Sequence, residues 1–393
     1  MTMSNDRAIK KLLVVTTSYP LKVGAISGIF VKRLNKSLEQ YFNISTLCPD
    51  GVTEVNCKEV IPVRYAPKKY QLLAHQPGGI PVALKNNRWL FFLVPIFLLS
   101  LFFKTLRELK KNNFVLAHWG VNGLVAGIAN IFFRKPLVTV FHGTDANSIH
   151  KSRISKWFLD LTIRLSSSVV VVSRSLYTSL NTHFPNHSQK IIFIANGVEE
   201  DLLNVTPRES INFCFVTIAN LNPLKGVGDI LHALALVGQV ECKLIVIGDG
   251  PQRTELEELA DRLQLNEQVM FTGVIPPQGV KNYIEDCDAL ILASYSEGRP
   301  SVVLEAMAAG RTIIASKIPG NIELVQHGVS GLLFEAGNVQ ALTSCMKQTL
   351  NSKDELISMG KEGRKFIIDN HLIWPQTAQQ YLQLFDGLQN NKC

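Results

Sequence analysis

Two carboxylates eight positions apart, Glu297 and Glu305, lie in a stretch whose other residues suit phosphate chemistry: Ser294-Tyr295-Ser296-Glu297-Gly298-Arg299-Pro300-Ser301-Val302-Val303-Leu304-Glu305-Ala306-Met307-Ala308-Ala309-Gly310. The run before it, Ala289 to Ala293, is apolar without alternation, as expected of a parallel strand buried on both faces, and it ends at the polar Ser294. Gly298 and Pro300 break the chain, Ser301 is placed to cap the next element, and Val302 to Ala309 read as a helix closed by Gly310. Glu297 then lies on the loop and Glu305 in the opening turns of the helix. In open α/β sheets this corner, outside the carboxyl end of a strand, is where ligands bind, and the N–H groups at a helix start suit a phosphate. The helix dipole alone also favours an acid near a helix start, so Glu305 by itself has a purely structural explanation. The pair carries more weight than either residue.

A cation and two imidazoles join this set. Lys225 closes the loop Ala219-Asn220-Leu221-Asn222-Pro223-Leu224-Lys225-Gly226 at the start of a helix. A cation there is repelled by the dipole unless an anion offsets it, which favours Lys225 as a phosphate ligand over a solvated surface lysine. His118 ends the predicted strand Phe114-Val115-Leu116-Ala117-His118, and His142 follows Leu137-Val138-Thr139-Val140-Phe141. A lone histidine is usually structural, but two at equivalent ends of successive strands mark a candidate site. With no third ligand at metal-binding spacing they are not read as a zinc site. Asp286-Cys287-Asp288 has the D-x-D form of metal-dependent transferases, yet it precedes a buried strand instead of ending one, and it is not read as a metal site either.

The Glu-x7-Glu spacing, set in Glu-Gly-x-Pro and Glu-Ala-Met-Ala-x-Gly, resembles the retaining nucleotide-sugar glycosyltransferases of the GT-B fold, specifically glycosyltransferase family four (group 1). The resemblance implies that Glu297 contacts the donor sugar's hydroxyls and that Glu305 accepts hydrogen bonds from the ribose. It extends the donor site to Gly298, Arg299, Pro300, Ser301 and Val302. His142-Gly143-x-Asp145 is similar to the family's interdomain motif, whose histidine lies against the donor sugar, and His118 resembles a position that borders the acceptor. Asn196-Gly197-Val198 resembles the segment at the entrance to the second domain. Asp145 and Asn196 thus join His118 on the acceptor side. Gly28, in the glycine-bearing loop after the first strand, matches a loop where backbone amides approach the donor phosphates or the acceptor, and it is equally explained as a turn residue. Gly248, in Gly248-Asp249-Gly250-Pro251, matches a family turn with the same two explanations. The family pattern Gly-Arg-Leu-x-x-x-Lys-Gly is broken here: Ala219 stands for the glycine and Asn220 for the arginine, so one of two diphosphate cations is missing unless Arg299 or another arginine substitutes.

The positioning elements can be read from composition and periodicity. The chain has 393 residues, 46% hydrophobic and 18% charged, ample for sizeable cores. From residue 213 onward strand and helix alternate regularly, a doubly wound α/β pattern. The expected architecture is two Rossmann-like domains facing across a cleft: residues 1–203 on the acceptor side, 204–370 binding the sugar nucleotide, and 371–393 as a helix crossing back to the first domain. The net charge of +8 is uneven. Residues 1–200 hold 25 Lys/Arg against 10 Asp/Glu, whereas 201–393 hold 15 against 22. A basic first half implies an anionic partner such as phospholipid or a polyprenyl-diphosphate acceptor. No nucleic-acid signature is present in the sequence, and nucleic acid is not an expected partner. Seven scattered cysteines without a C-x-x-C pair fit a reduced cytosol. Residues 89–103 carry no charge but fall short of the ~20 residues of a membrane span, and Pro95 is read as interrupting them. They read either as a buried helix or as an element dipping into a membrane, with Arg88 and Lys104 at the headgroups.

The expected reaction is transfer of a hexosyl group (EC 2.4), with retention and without metal or cofactor, from a nucleoside diphosphate sugar to a glycan or polyprenyl-diphosphate-linked acceptor. His142, Lys225 and Glu297 would carry it. The enzyme is expected in the cytoplasm, peripheral on the inner face of the membrane, in surface polysaccharide assembly. A nucleotide-sugar epimerase or hydrolase of the same fold, or a donor-binding subunit without catalysis, are the alternatives.

Overall fold

The computed structural model describes residues 10–21, 27–50, 59–74, 79–143, 152–206, 212–238 and 241–390. The chain divides into two compact units, Met1–Ala195 with Pro375–Cys393, and Asn196–Trp374.

Unit 1 begins with β1 (Lys10–Val15), α1 (Ile29–Leu38), β2 (Phe42–Pro49) and β3 (Val60–Val63). It continues through α2 (Gly79–Asn86), a 3-10 turn at Arg88–Phe92, α3 (Leu93–Leu109), β4 (Phe114–His118) and α4 (Gly120–Asn130). β5 (Leu137–Phe141), α5 (Arg153–Leu165), β6 (Ser168–Val171), α6 (Arg174–His183) and β7 (Ile191–Phe193) complete the run. The strands pair in parallel in the order β3-β2-β1-β4-β5-β6-β7. Their inner residues are fully buried because helices cover both faces. Chain direction along the sheet reverses between β1 and β4, and this switch point is where a crevice forms at the carboxyl ends.

Unit 2 repeats the plan. β8 (Phe213–Ile218), α7 (Val227–Val237), β9 (Cys242–Ile247), α8 (Arg253–Arg262) and β10 (Val269–Gly273) form its first half. The second half holds α9 (Pro277–Asp286), β11 (Ala289–Leu292), α10 (Ser301–Ala308), β12 (Thr312–Ser316), α11 (Pro319–Ile322) and β13 (Gly331–Phe334). α12 (Val339–Asn351) and α13 (Lys353–Asp369) come next. The strand order is β10-β9-β8-β11-β12-β13, again all parallel, with its switch point between β8 and β11. Two Rossmann-like sheets therefore stand where the sequence pattern predicts them.

The last helix, α14 (Trp374–Asn390), belongs almost wholly to unit 1. Its buried Phe385 sits between Phe42 and Phe114, with ring centroids 5.8 and 5.0 Å away. Asp386 pairs with Lys10 at 2.8 Å on the surface.

Two expectations need correction. Pro95 does not interrupt its segment: the helical path runs from Arg88 to Leu109, 22 residues. Pro95 is the third residue of α3, in the first turn, where an amide has no intrahelical acceptor and its loss costs little. Nor does Ser301 cap α10. It is the first helical residue, and Pro300 holds the cap position, with no side-chain hydrogen bond from it to the helix.

Phe385→Ala is expected to destabilise the protein by about 3–5 kcal/mol, because it empties a closed aromatic cluster. Asp386→Asn, one residue on, should change stability by less than about 1 kcal/mol, since its ion pair is exposed. Denaturant titration of both variants compares the two effects.

Candidate functional site

At the switch point of unit 2 the loops leaving β8 and β11 are stitched together. Lys225 Nζ lies 2.6 Å from Glu297 Oε1, and the Ser294 hydroxyl donates to the same oxygen at 2.7 Å. Both ion-pair side chains are mostly buried, at 24% and 14% exposure. The Tyr295 amide donates to Leu224 O at 2.8 Å, and its hydroxyl donates to Asp229 Oδ2 at 2.8 Å. Gly226 has φ of +63°, and a Cβ there would stand 2.3 Å from Ala293 O, so only glycine lets the first loop pass the second this closely. The anion that offsets the helix-start cation is therefore Glu297 of the protein itself.

Four residues beyond Glu297, α10 begins without a side-chain cap, which leaves the first amides of the helix, Ser301 and Val302 among them, without intrahelical acceptors. Ser301 is exposed and Pro300 buried. Glu305 is 8% exposed in the second turn of the helix. Arg299 is committed elsewhere: its guanidinium pairs with Glu323 and its side chain is 4% exposed, so it anchors the loop. It is not placed as a spare cation for the missing arginine. Asn220 is exposed, and its carboxamide oxygen lies 2.8 Å from where a Cβ of Gly250 would stand, so the β8 and β9 loops run side by side. Gly248, at φ +131°, packs against Ala219 O, which makes it a seam between those loops. Asp288 Oδ2 accepts the Cys214 amide at 2.8 Å, a structural task ahead of β11.

The switch point of unit 1 holds different chemistry. His118 Nδ1 and His142 Nε2 are 3.0 Å apart, so the two strand-end histidines hydrogen-bond directly. Phe30 and Trp119 close around His142, with centroids 4.6 and 5.0 Å away. Trp119 itself is held at φ +68°, ψ 148°, a strained corner between β4 and α4. Burial, with the neighbouring imidazole as a second cause, pushes His118 well below its ordinary value of 6.5. Burial pushes His142 down to about 3. Both rings are neutral, and one N–H donates to the other's lone pair. His118 Nε2 is buried with no partner among the described residues. Asn122 joins the loops after β4 and β1 by donating to His118 O at 2.6 Å and to Thr17 Oγ1 at 3.3 Å. Gly28 lies in the β1 loop at φ +74°, pressed against Ser18 O.

Asp145 lies outside the described residues. Asn196 is the first residue of unit 2, and Gly197 beside it packs on the backbone of Ile373 and Trp374, so the Asn-Gly-Val segment seats a chain connection. Four residues of these two sites escape a reading of the sequence alone. Ser294 reads there only as the end of a strand, Phe30 only as part of a helix, and Asn122 carries no motif. Gly320 of α11 sits where a Cβ would be 2.6 Å from Glu297 O. The polar Ser294 at the end of an apolar run is the one available signal.

Residues 200–366 match the family described as Glycosyl transferases group 1, and residues 61–202 match Glycosyltransferase Family 4. An uncharacterised glycosyltransferase of Methanocaldococcus jannaschii is 25% identical over 360 residues, 91% of this chain and 93% of its own. Among solved structures, sucrose-phosphate synthase from Thermosynechococcus elongatus superposes over 97% of this chain and 100% of its own, with TM-score 0.77 at 19% identity. Anabaena HepE in complex with UDP-glucose does so over 96% and 99%, with TM-score 0.71 at 20% identity. At these identities the two structures speak to the fold.

The neutral histidine pair makes stability depend on pH. Each histidine is free to charge when unfolded and held neutral when folded, so its contribution is complete above about pH 6.5 and is lost as pH falls below that, for His142 as pH falls towards about 3. The slope is at most about 1.4 kcal/mol per pH unit for each group. Chemical denaturation from pH 7 to 4 should show this loss, and His142→Gln should flatten it. Separately, Gly226→Ala is expected to lower stability by at least 1 kcal/mol, on the order of the cost of a strained backbone, and to loosen the paired loops.

Proposed function

The chain belongs to the group 1, family four glycosyltransferases of the GT-B fold, and we propose that unit 2 holds the nucleoside diphosphate of a sugar donor at the switch point between β8 and β11. The sugar is passed, with retention, to a glycan or lipid-linked acceptor. One observation carries this reading: Lys225, Glu297 and the uncapped start of α10 meet on the two loops that flank the switch point.

Transfer breaks the bond between the anomeric carbon and a diphosphate oxygen and forms a bond from that carbon to an acceptor hydroxyl, which gives up its proton. Negative charge grows on the departing diphosphate. Lys225 and the amides of Ser301 and Val302 are suited to stabilise it, by a few kcal/mol per donor in comparable oxyanion sites. Without ligand, Glu297 neutralises Lys225. A diphosphate takes over that task and frees the Glu297 carboxylate to accept hydrogen bonds from sugar hydroxyls. The neutral His118–His142 pair of unit 1 suits an uncharged, hydroxyl-rich ligand better than a phosphate. The leaving diphosphate itself serves as the base in a front-face attack, and no metal takes part.

Asn220 favours a second reading. It gives the site a neutral amide where the family has a guanidinium, and Arg299 does not make up the charge. A subunit that binds donor without transferring it fits that loss.

Titration calorimetry with UDP, GDP and ADP, with and without a chelator, tests the proposal. One nucleotide is expected to bind whether or not chelator is present. Lys225→Ala should weaken that binding by about tenfold or more, while Glu297→Ala should spare nucleotide binding and slow transfer by about tenfold or more. Failure of all three nucleotides to bind, or binding indifferent to Lys225→Ala, would contradict the site. Donor binding without transfer to any glycan or lipid acceptor would favour the second reading.

A further inference from the structure

The segment from Arg88 to Leu109 has two apolar faces, one turned inward and one outward. Phe97, Leu101 and Leu109 are buried and join Leu13, Val15, Val115 and Leu137 in the core on one face of the sheet. The opposite stripe, Phe92, Ile96, Leu99 and Phe103, recurs at helical spacing and is 49–70% exposed. Trp89, just ahead of it, is 78% exposed. α4 packs beside α3, and α5 beside α4. α4 and α5 extend the outward layer with Ile128, 40% exposed, and Trp157, 64% exposed, and Phe132, 75% exposed, follows in the turn after α4. Solvent-facing apolar side chains over three adjacent helices exceed the scattered apolar residues of an ordinary surface.

The charge around this layer has one sign. Residues 79–143 and 152–165 contain eleven Lys/Arg and two acids, Glu108 and Asp160. Glu108 is buried and paired with Lys111, and Asp160 is held by Arg164 at 2.7 Å and by His187 at 3.0 Å. At the α5 edge, next to Trp157, Arg153, Lys156, Arg164, His183 and His187 line an open cavity of about 490 Å³, with Asp160 the single acid in its wall.

We propose that the outward layer of α3, α4 and α5 is a docking surface for an anionic phospholipid bilayer, with the aromatic stripe lying in the interface and the Arg153–Lys156 cavity receiving a headgroup phosphate. The charge favours this occupant over a second copy of the chain, because two copies meeting on this face would bring like charges together. The helix lies along the bilayer and does not cross it, since its inner face is a wall of the protein's own core. Tryptophan, phenylalanine and flanking cations are the residues that stabilise such interfacial seating. The inference concerns unit 1 alone and stands whether or not unit 2 binds a nucleotide.

Flotation of the purified full chain with vesicles tests it, using phosphatidylcholine alone or mixed with phosphatidylglycerol, at low and high salt. Binding is expected to the mixed vesicles and to fall with salt. Phe92→Ser with Phe103→Ser, and separately Lys156→Glu, should each reduce partitioning by about tenfold or more. The altered side chains are exposed, so melting curves should match wild type. Ile368→Ser, at an exposed apolar residue of unit 2, should leave binding unchanged. Brominated lipids should quench tryptophan emission, and Trp89→Phe should remove part of that quenching. Absence of flotation with mixed vesicles would overturn the proposal. So would a dimer in sedimentation that the Phe92→Ser, Phe103→Ser variant dissolves while vesicles are ignored, which would assign the face to a second copy.

Discussion

Two loops that leave neighbouring parallel strands in opposite directions open a gap between them, and in unit 2 that gap is closed by one ion pair. Lys225 and Glu297 are 72 residues apart in sequence and 2.6 Å apart in space. A largely buried pair of this kind is favourable only when its remaining lone pairs are satisfied, and Ser294 supplies part of that satisfaction. The contact from Tyr295 to Leu224, the tyrosine hydroxyl on Asp229 and the passage of Gly226 under Ala293 all serve the same closure. Remove either partner and a buried charge is left on the loop of the other. In the proposed donor complex an arriving diphosphate replaces the carboxylate without leaving the lysine bare.

The two units use one topology for two kinds of chemistry. Both switch points gather loops from strands that are distant in sequence, since β1 meets β4 and β8 meets β11. In unit 2 the gathered groups are charged and joined by the Lys225–Glu297 pair on the loop that leads into α10. In unit 1 they are imidazoles kept neutral by burial, ringed by aromatics, and ordered by a chain of hydrogen bonds through Asn122. The strain at Trp119 is stored where β4 hands over to α4, beside this pair.

Much of this was legible in the sequence for a physical reason. Buried parallel strands announce themselves as uninterrupted apolar runs, and a ligand corner announces itself where such a run meets a polar residue and a helix breaker. His118 ends β4 and His142 follows β5 as their context implied, and Glu297 lies on the loop after β11 and Lys225 just ahead of α7, also as read. Partnership was not legible. The sequence shows a lysine in need of an anion, but the anion lies many elements away, and nothing local names Glu297. The bond between His118 and His142 depends on β4 and β5 being neighbours in register, and the retirement of Arg299 depends on Glu323 of the next loop. Pro95 misled because its effect depends on its position within a helix, and Ser301 because a proline took the cap one residue earlier.

The most direct measurement is a crystal structure of the protein with the nucleoside diphosphate that binds it best. The account predicts the diphosphate at the start of α10, with its oxygens about 3 Å from the amides of Ser301 and Val302 and from Lys225 Nζ, and with Glu297 released from the lysine. A diphosphate bound elsewhere, with the Lys225–Glu297 pair intact, would contradict it.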